Sequence, residues 1–599
     1  MTTLTKWADE KIEGALFEAA SIEEPWALIE RFSTLVRESG SEDEWTAARY
    51  IGERLEALGT EFTIHEPELF LSIPKRARLE VETSQGAREI RVKTPVFSVS
   101  TADLPIEAEL VYVPTGQAKG MGDLFGATPV VPEGLEGKVV ITEGNPLPGK
   151  VDAFSKAGIL AMVFVGPGQD IHEGTVTPIW GAPDLDNFAD QPRMAVLGVN
   201  KPDGEWLIER CQNGAARASL NTWLDEGWRR CPLVEATIPG EVQPEKFVLL
   251  HGHIDSWHAG IGDNATGNAT LLEVARLLQG HQHLLKRTVK ICWWPGHSQG
   301  RYAGSTWYAD QFAQDLDANC VGHINCDSPG CRWATVYEDV MWMPEAEDIA
   351  TAAIESATGQ DAHGTRPLRA GDISFNNLGI STFYMLSSTM PKDLLEKKGY
   401  YPVGGCGGNI EWHTERDTLQ IADKHILLKD IKVYASAALR MANAPILPFD
   451  YRKTVDDLAR HCRSYEEAAL GRVSFENALS AALEARSELE RLMAAAEKLA
   501  LHDVGDERVA RINDALIRIG RHLVSAGFSE RGRFRQESAL NIPPIPSIAP
   551  AARLSSLDEG SHLDRVIRTH VTRGLNSVTW SFKETAREAR LALAALNRS

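Results

Sequence analysis

His253 and Asp255 stand two residues apart at the end of an apolar run, Phe247–Leu250, and Asp263 follows in a Gly-Asp-Asn turn at Gly262–Asn264. Imidazole suits zinc, and a carboxylate such as Asp263 can bridge two cations. In a strand, residues i and i+2 point to the same face. Asp255 is therefore expected near the ring of His253, where it would fix the tautomer. A helix-like apolar run comes next, so Leu249–Ala269 reads as strand, ligand-bearing turn and helix.

Four more segments carry chemistry. GHINCDSPG puts Asp327 just past a strand end, and NIEWHTERDT puts His413 in a polar turn after GGCGGN. PGHSQGRYAGS places His297 and Ser298 at another strand end, and RAGDISFNNLGI carries Asp372 in a loop. Open α/β sheets gather their ligands at the carboxyl ends of strands. Plainer readings exist for each: Asp263 as a turn or N-cap residue, Asp327 as a turn former, Asp372 as a loop acid behind the site. His251, His258 and His323 read as structural or supporting residues. Trp293, Trp294 and Trp307 read as core, whereas Trp257 and Trp412 neighbour the proposed ligands and could line a pocket.

The elements that must position these groups follow from hydrophobic periodicity. Residues 5–58 are helical in pattern, with Gly59 placed as a helix stop. From about 80 to 240 the texture is short strands and Gly/Pro turns, which predicts a β-rich inserted domain. From 245 to 445 strands alternate with helices, the signature of a mostly parallel sheet with helices on both faces. Beyond Pro445–Tyr451 the chain is almost purely amphipathic helix, interrupted by the Pro-rich stretch at 541–550.

The chain has 599 residues, too many for one core, so several domains are expected. Its formal charge of -21 argues against nucleic acid and anionic membranes as partners. It argues more weakly against an acidic substrate, because local charge can override the total. No run of 18 or more apolar residues occurs and the first residues hold no signal-peptide core, so no membrane span or secretion is expected. The eight scattered cysteines make no disulfide framework and suit a cytoplasmic protein; Cys320, Cys326 and Cys331 read as buried side chains.

In order and wording these segments resemble the metal-dependent aminopeptidase and glutamate carboxypeptidase family, which also includes the transferrin receptor. GSEDEWTAARYIGERLEALG resembles its N-terminal helix, and GLEGKVVITEG with FSKAGILAMVFVG its protease-associated insert. HGHIDSW with GDNATG, then AGSTWYAD, INCD and WHTERDT, fall in the family's order. The resemblance implies a zinc-exopeptidase-type α/β core, doubly wound on a mostly parallel sheet. It divides the chain into 1–80 (N-terminal part of the core), 81–240 (protease-associated-like insert), 241–446 (metal-binding core) and 447–599 (helical dimerisation domain). It also implies His253, Asp263 and Asp327 as ligands of one metal, Asp263 bridging to a second metal that His413 binds, and Asp255 as the acid behind His253.

One departure matters. The family carries two adjacent glutamates before its Gly-x-x-Gly-Ser element, one the general base and one a ligand of the second metal. Here that place reads Gly296-His297-Ser298-Gln299-Gly300, so both carboxylates are absent. A second metal should bind weakly, differently or not at all. His297 can serve as acid/base near neutral pH or as a ligand, and Glu411 and Glu415 are possible substitute carboxylates. The function expected is a metal-dependent hydrolase of a peptide or small amide, with His297 in the place of the base. The alternatives are a lyase or specialised non-peptide amidohydrolase on a small metabolite, and a non-catalytic binding homologue. Zinc is the expected metal, with manganese or iron open, and a homodimer through the helical domain is expected.

Overall fold

Phe247, Val248, Leu249 and Leu250 are all buried. Alternate strand residues face opposite ways. Val248 and Leu250 join one apolar cluster, and Phe247 and Leu249 join another on the opposite face. The run is therefore continuous rather than alternating, as befits a central parallel strand covered on both sides. The structure, a computed structural model, describes residue 7 and residues 9–83, 86–126, 129–214, 216–386 and 388–597.

The strand Gln243–His253 runs parallel to both of its neighbours, Arg287–Trp294 and Cys320–Asn325. Thr382–Phe383 continues the parallel part. Leu233–Ile238 and Glu61–His65 add antiparallel strands at the other edge of this six-stranded sheet. Helices Thr266–Gly280, Glu347–Thr358 and Lys424–Asn443 pack in the cluster on one face. Ala303–Gln311 and Ala313–Asn319 supply Tyr308, Ala309 and Leu316 to the other. The sheet is thus doubly wound and mostly parallel, and the carboxyl ends of its parallel strands lead to His253, His297 and Asp327.

A second, seven-stranded sheet has all its strands within residues 68–230. Glu68–Thr83 and Ala216–Arg230 form a long antiparallel pair. Ile106–Tyr112, Val139–Glu143, Ala161–Val165 and Ala195–Val199 run parallel beside it. Leu207 of the helix Lys201–Asn213 packs on one face, and Val151 and Phe154 of Pro148–Ser155 on the other. Its loops reach the first sheet: Thr175 Oγ1 donates to the Ser298 carbonyl at 3.0 Å.

The C-terminal part comprises Tyr451–Ala468, Glu476–Leu499, Glu507–Phe528 and the long helix His562–Leu596. Ile567, Val571, Leu575, Val578, Phe582, Ala586 and Ala589 are buried along the last, a three-to-four-residue stripe that packs inward. Ser561 caps its first turn by accepting from the Asp564 amide. The Pro-rich stretch leads into a short 3₁₀ segment, Ala549–Ser556. Among the described residues no helix is long and apolar enough to cross a membrane. All eight cysteines are free, and Cys320, Cys326 and Cys331 are buried.

Candidate metal centre

The loop that follows His253 is held from beneath by Arg37. This fully buried guanidinium donates to the carbonyls of Ile254 (2.9 Å), Ala259 (2.8 Å) and Gly260 (2.9 Å). The Asp417 carboxylate then accepts the amides of Gly262 (2.7 Å) and Asp263 (3.0 Å). With its backbone pinned this way, Asp263 presents one oxygen to each of two imidazoles. Oδ1 lies 2.9 Å from His253 Nε2, and Oδ2 lies 3.0 Å from His413 Nε2. Asp327 Oδ1 lies 3.9 Å from the same His253 nitrogen. The His297 ring stacks on His253 with centroids 3.8 Å apart, and ligand atoms of His253, His297 and Asp327 all fall within 4.8 Å of one another.

The outer hydrogen bonds define what the inner nitrogens can do. His253 Nδ1 faces the Asp255 carbonyl at 2.9 Å, and His413 Nδ1 faces the Glu173 carbonyl at 3.1 Å. A carbonyl only accepts, so each Nδ1 carries the proton and, in the neutral ring, each Nε2 turns a lone pair toward Asp263. Lone pair facing carboxylate is repulsive unless a proton or a cation lies between. Burial alone would depress the His253 imidazolium, yet Asp263, Asp327 and Asp255 around it push it up to about 10. Burial and the neighbouring Asp263 push Asp327 up to about 6. Asp417 is raised to about 7, also by burial, with Asp263 contributing. The cluster thus favours a positive charge among its carboxylates, whether a proton or a cation. Tetrahedral ligands about 2.0–2.1 Å from zinc lie roughly 3.3 Å apart. The 2.9 and 3.9 Å separations around His253 bracket that spacing. His253, Asp263 and Asp327 fit such a group, and His413 fits the far oxygen of Asp263.

Asp255 acts differently from the sequence expectation. Its carboxylate is 3.8 Å from His253 Nδ1, and the main-chain carbonyl makes the bond to the ring instead. The carboxylate accepts the amides of His297 (3.1 Å) and Ser298 (2.8 Å) and the Ser39 hydroxyl (3.1 Å). The reason is the loop at 296–300, whose open amides offer better donors than a ring nitrogen already paired. Glu411 and Glu415 do not replace the missing carboxylates either. Glu411 pairs with Arg332 at 2.7 Å, and Glu415 with Lys93 at 2.7 Å.

His297 Nδ1 donates to Asp372 Oδ2 at 2.8 Å, and Ser305 Oγ donates to the other Asp372 oxygen at 2.7 Å. Nε2 of His297 is left as the nitrogen that faces the cluster. His258 bonds Glu173 at 3.0 Å, and His251 and His323 pair at 3.0 Å inside the sheet. Trp293 and Trp294 are buried and Trp307 is partly so. Trp257 and Trp412 both line the recess above the ligands, and Trp412 stacks on His413 at 3.6 Å.

Three supports escaped sequence reasoning. Asp417 sits in the same NIEWHTERDT segment as His413, but nothing in the spacing links it to the amides at 262–263. Arg37 is more than two hundred positions from its three carbonyls. Glu173 clamps His413 through main-chain bonds in both directions, its own amide donating to the His413 carbonyl at 2.8 Å. Main-chain contacts leave no residue-type signal to read.

The doubly wound sheet thus gathers imidazoles and carboxylates at its carboxyl edge, a donor set suited to a divalent metal. Residues 234–437 match the model of Peptidase family M28. The probable glutamate carboxypeptidase VP8 of Zea mays is 24% identical over 490 residues, 70% of this chain and 66% of that protein. The chain therefore spans slightly less than two thirds of that relative. Among solved structures, a Peptidase M28 precursor from Shewanella amazonensis SB2B aligns with TM-score 0.56 and 18% identity, over 73% of this chain and 97% of that one. BSAP, a zinc aminopeptidase from Bacillus subtilis, aligns with TM-score 0.50 and 18% identity, over 70% and 94%. These two share the fold.

Proposed function

We propose that the protein hydrolyses a peptide or small amide bond with a divalent cation, zinc by preference, held by His253, Asp263 and Asp327. The observation that carries this reading is Asp263 standing between two imidazoles whose outer nitrogens are both committed to carbonyls. When bound, the cation would polarise the scissile carbonyl and make water nucleophilic. His297 then supplies the acid/base function: its Nδ1–H donates to Asp372, and Nε2 is free to accept a proton from water and return it to the leaving amine. Asp255 holds the loop that carries His297, through the amides at 297 and 298. The match of residues 234–437 to the Peptidase family M28 model and the peptidase names of the relatives support the reaction class.

A second reading of His297 has its own support, since its ring nitrogen lies within 4.8 Å of ligand atoms of His253 and Asp327. Metal analysis of His297→Ala separates the two. Retained zinc with lost turnover fits the base; lost zinc fits a third ligand. The recess is small, about 50 Å³, and this favours a short amide or a single metabolite over a folded polypeptide. Turnover of zinc-loaded protein on aminoacyl, peptide and small-amide panels tests the proposal. Amide cleavage indifferent to chelation and zinc readdition would sink it.

In the same reading the second sheet, with its strands within 68–230, is the protease-associated-like insert expected at 81–240, and the helices of 447–599 form a homodimer. Leu563, Val566, Trp580 and Leu591 are exposed on the last helix and support a covered face there. Light scattering of the purified protein decides between monomer and dimer. Free cysteines throughout suit a reducing, cytoplasmic compartment.

A further inference from the structure

Four arginines line one groove of the C-terminal helical part, and no acidic side chain lines it with them. The groove encloses about 760 Å³ between the start of the helix Glu476–Leu499 and one flank of His562–Leu596. Arg565, Arg568 and Arg573 stand on the long helix, and Arg472 on the loop before the shorter one. In a chain of 83 acidic and 62 basic side chains, a patch of this sign runs against the average. Nor is its charge cancelled from behind. Asp564 is the carboxylate that pairs with the set: fully buried, it takes Arg472 at 3.0 Å and the Gly560 amide at 3.1 Å, with Arg568 at 3.7 Å. Arg565 donates to the Gly560 carbonyl at 3.1 Å, and Arg573 has no ion pair or hydrogen bond among the described residues. Four guanidiniums against one carboxylate leave three positive charges at the groove.

The backbone adds donors in the same place. The first-turn amides of a helix have no partner inside it, and its N-terminus carries a partial positive charge. Asn477 and Ala478, in the first turn of Glu476–Leu499, line the groove, and Phe475 at the cap gives them no side-chain acceptor. Helix amides beside arginine forks are a donor set that phosphoryl oxygens fit. From Arg565 to Arg573 the long helix advances about 12 Å. A row of guanidiniums spread over that length matches linked phosphoryl groups better than a single phosphate.

We propose that this groove is a binding site for an oligophosphate, a small ligand carrying two or three linked phosphoryl groups. The groove shares no lining residue with the recess above the metal ligands, so the site does not rest on the hydrolase reading. It is also compatible with a dimer. At about 100° per residue, Arg565, Arg568, Thr572, Asn576 and Thr579 share one flank of the long helix. Leu563, Val566, Trp580 and Leu591 fall on the next flank, with Arg573 at its edge, so covering the apolar flank leaves the arginine row free. The chain's overall charge of -21 disfavours polyanions at long range, and the groove reverses that locally.

The test is titration calorimetry of the full-length protein, kept metal-free because phosphates also bind metal ions. The probes are tripolyphosphate, orthophosphate, ATP and a hexaglutamate peptide. Tripolyphosphate is expected to bind about tenfold or more tightly than orthophosphate, and to weaken as salt is raised. The double variant Arg568→Gln/Arg573→Gln is expected to lose about tenfold or more of that affinity; both side chains are exposed, so the fold does not depend on them. Arg587→Gln, an exposed position elsewhere on the same helix, should leave binding unchanged. ATP equal to tripolyphosphate would mean that the phosphates alone are recognised, and tighter ATP that a nucleoside adds contacts; both support the site. Four results would each overturn it: no tripolyphosphate binding, orthophosphate or hexaglutamate bound as tightly, an unaffected double variant, or an equal loss in R587Q.

Discussion

The Asp372 carboxylate lies 2.8 Å from Nδ1 of His297 and accepts its N–H, which fixes the tautomer of the imidazole proposed here as the base. Ser305 secures the second Asp372 oxygen, so the acid cannot rotate away. Burial opposes charge on Asp372, but His297, with help from Ser305, holds its carboxyl below the ordinary range.

Asp372→Asn keeps the shape and removes the acceptor preference for Nδ1–H. We predict a loss of about 10²–10⁴ in kcat with zinc content unchanged. Single-turnover kinetics beside elemental analysis checks this. Loss of metal in parallel with activity would place His297 among the ligands instead.

Asp263→Asn should abolish metal retention, because both imidazoles lose the charge that faces them. Chelation of the wild type should lower stability as well as activity. At free zinc near 100 times Kd the bound ion contributes about 2.7 kcal/mol. Calorimetric unfolding with and without chelator reads the shift, and a metal-insensitive midpoint would contradict a centre in the folded state.

Gly304 is needed for a close approach. A Cβ there would sit 2.2 Å from the Pro295 carbonyl oxygen, on the turn that closes the His297 loop. Gly304→Ala is expected to cost about 1–3 kcal/mol and to displace that loop. Urea denaturation reports the first effect and turnover the second; a variant as stable and active as wild type would refute both.

Glu13 and Arg440 form a buried ion pair at 2.8 Å, with Ser356 and Ser436 donating to the same carboxylate. Burial raises the Glu13 carboxyl, but Arg440 and the two hydroxyls outweigh it and leave it lowered. A depressed folded-state value means the unfolded chain binds the proton more readily. The stabilisation is therefore complete above the unfolded value of about 4.3 and is lost as pH falls through the folded one. Arg440→Met should destabilise by about 3–5 kcal/mol near neutral pH. It should also flatten the acid limb of the stability curve, which chemical denaturation from pH 7 to pH 3 would reveal.

Local order made much of this protein legible from its residues alone. The apolar run ending in His253 had to be a covered parallel strand, because only a sheet buried on both faces tolerates Phe247–Leu250 without alternation. A strand, turn and helix in succession then place Asp263 near His253 by chain geometry. The periodicity of the last hundred and fifty residues or so announced helices for the same local reason. What the tertiary structure alone decided was partnership across distance. Asp255 turned from the ring to the amides at 297 and 298, Glu173 came from a loop between strands of the second sheet to clamp His413, and Arg37 reached carbonyls far along the chain. Arg301 lines the recess with its Nε unpartnered and no ion pair among the described residues. Periodicity reports which face of an element is buried; it carries no record of which polar atom, hundreds of residues away, arrives to satisfy a donor or fails to.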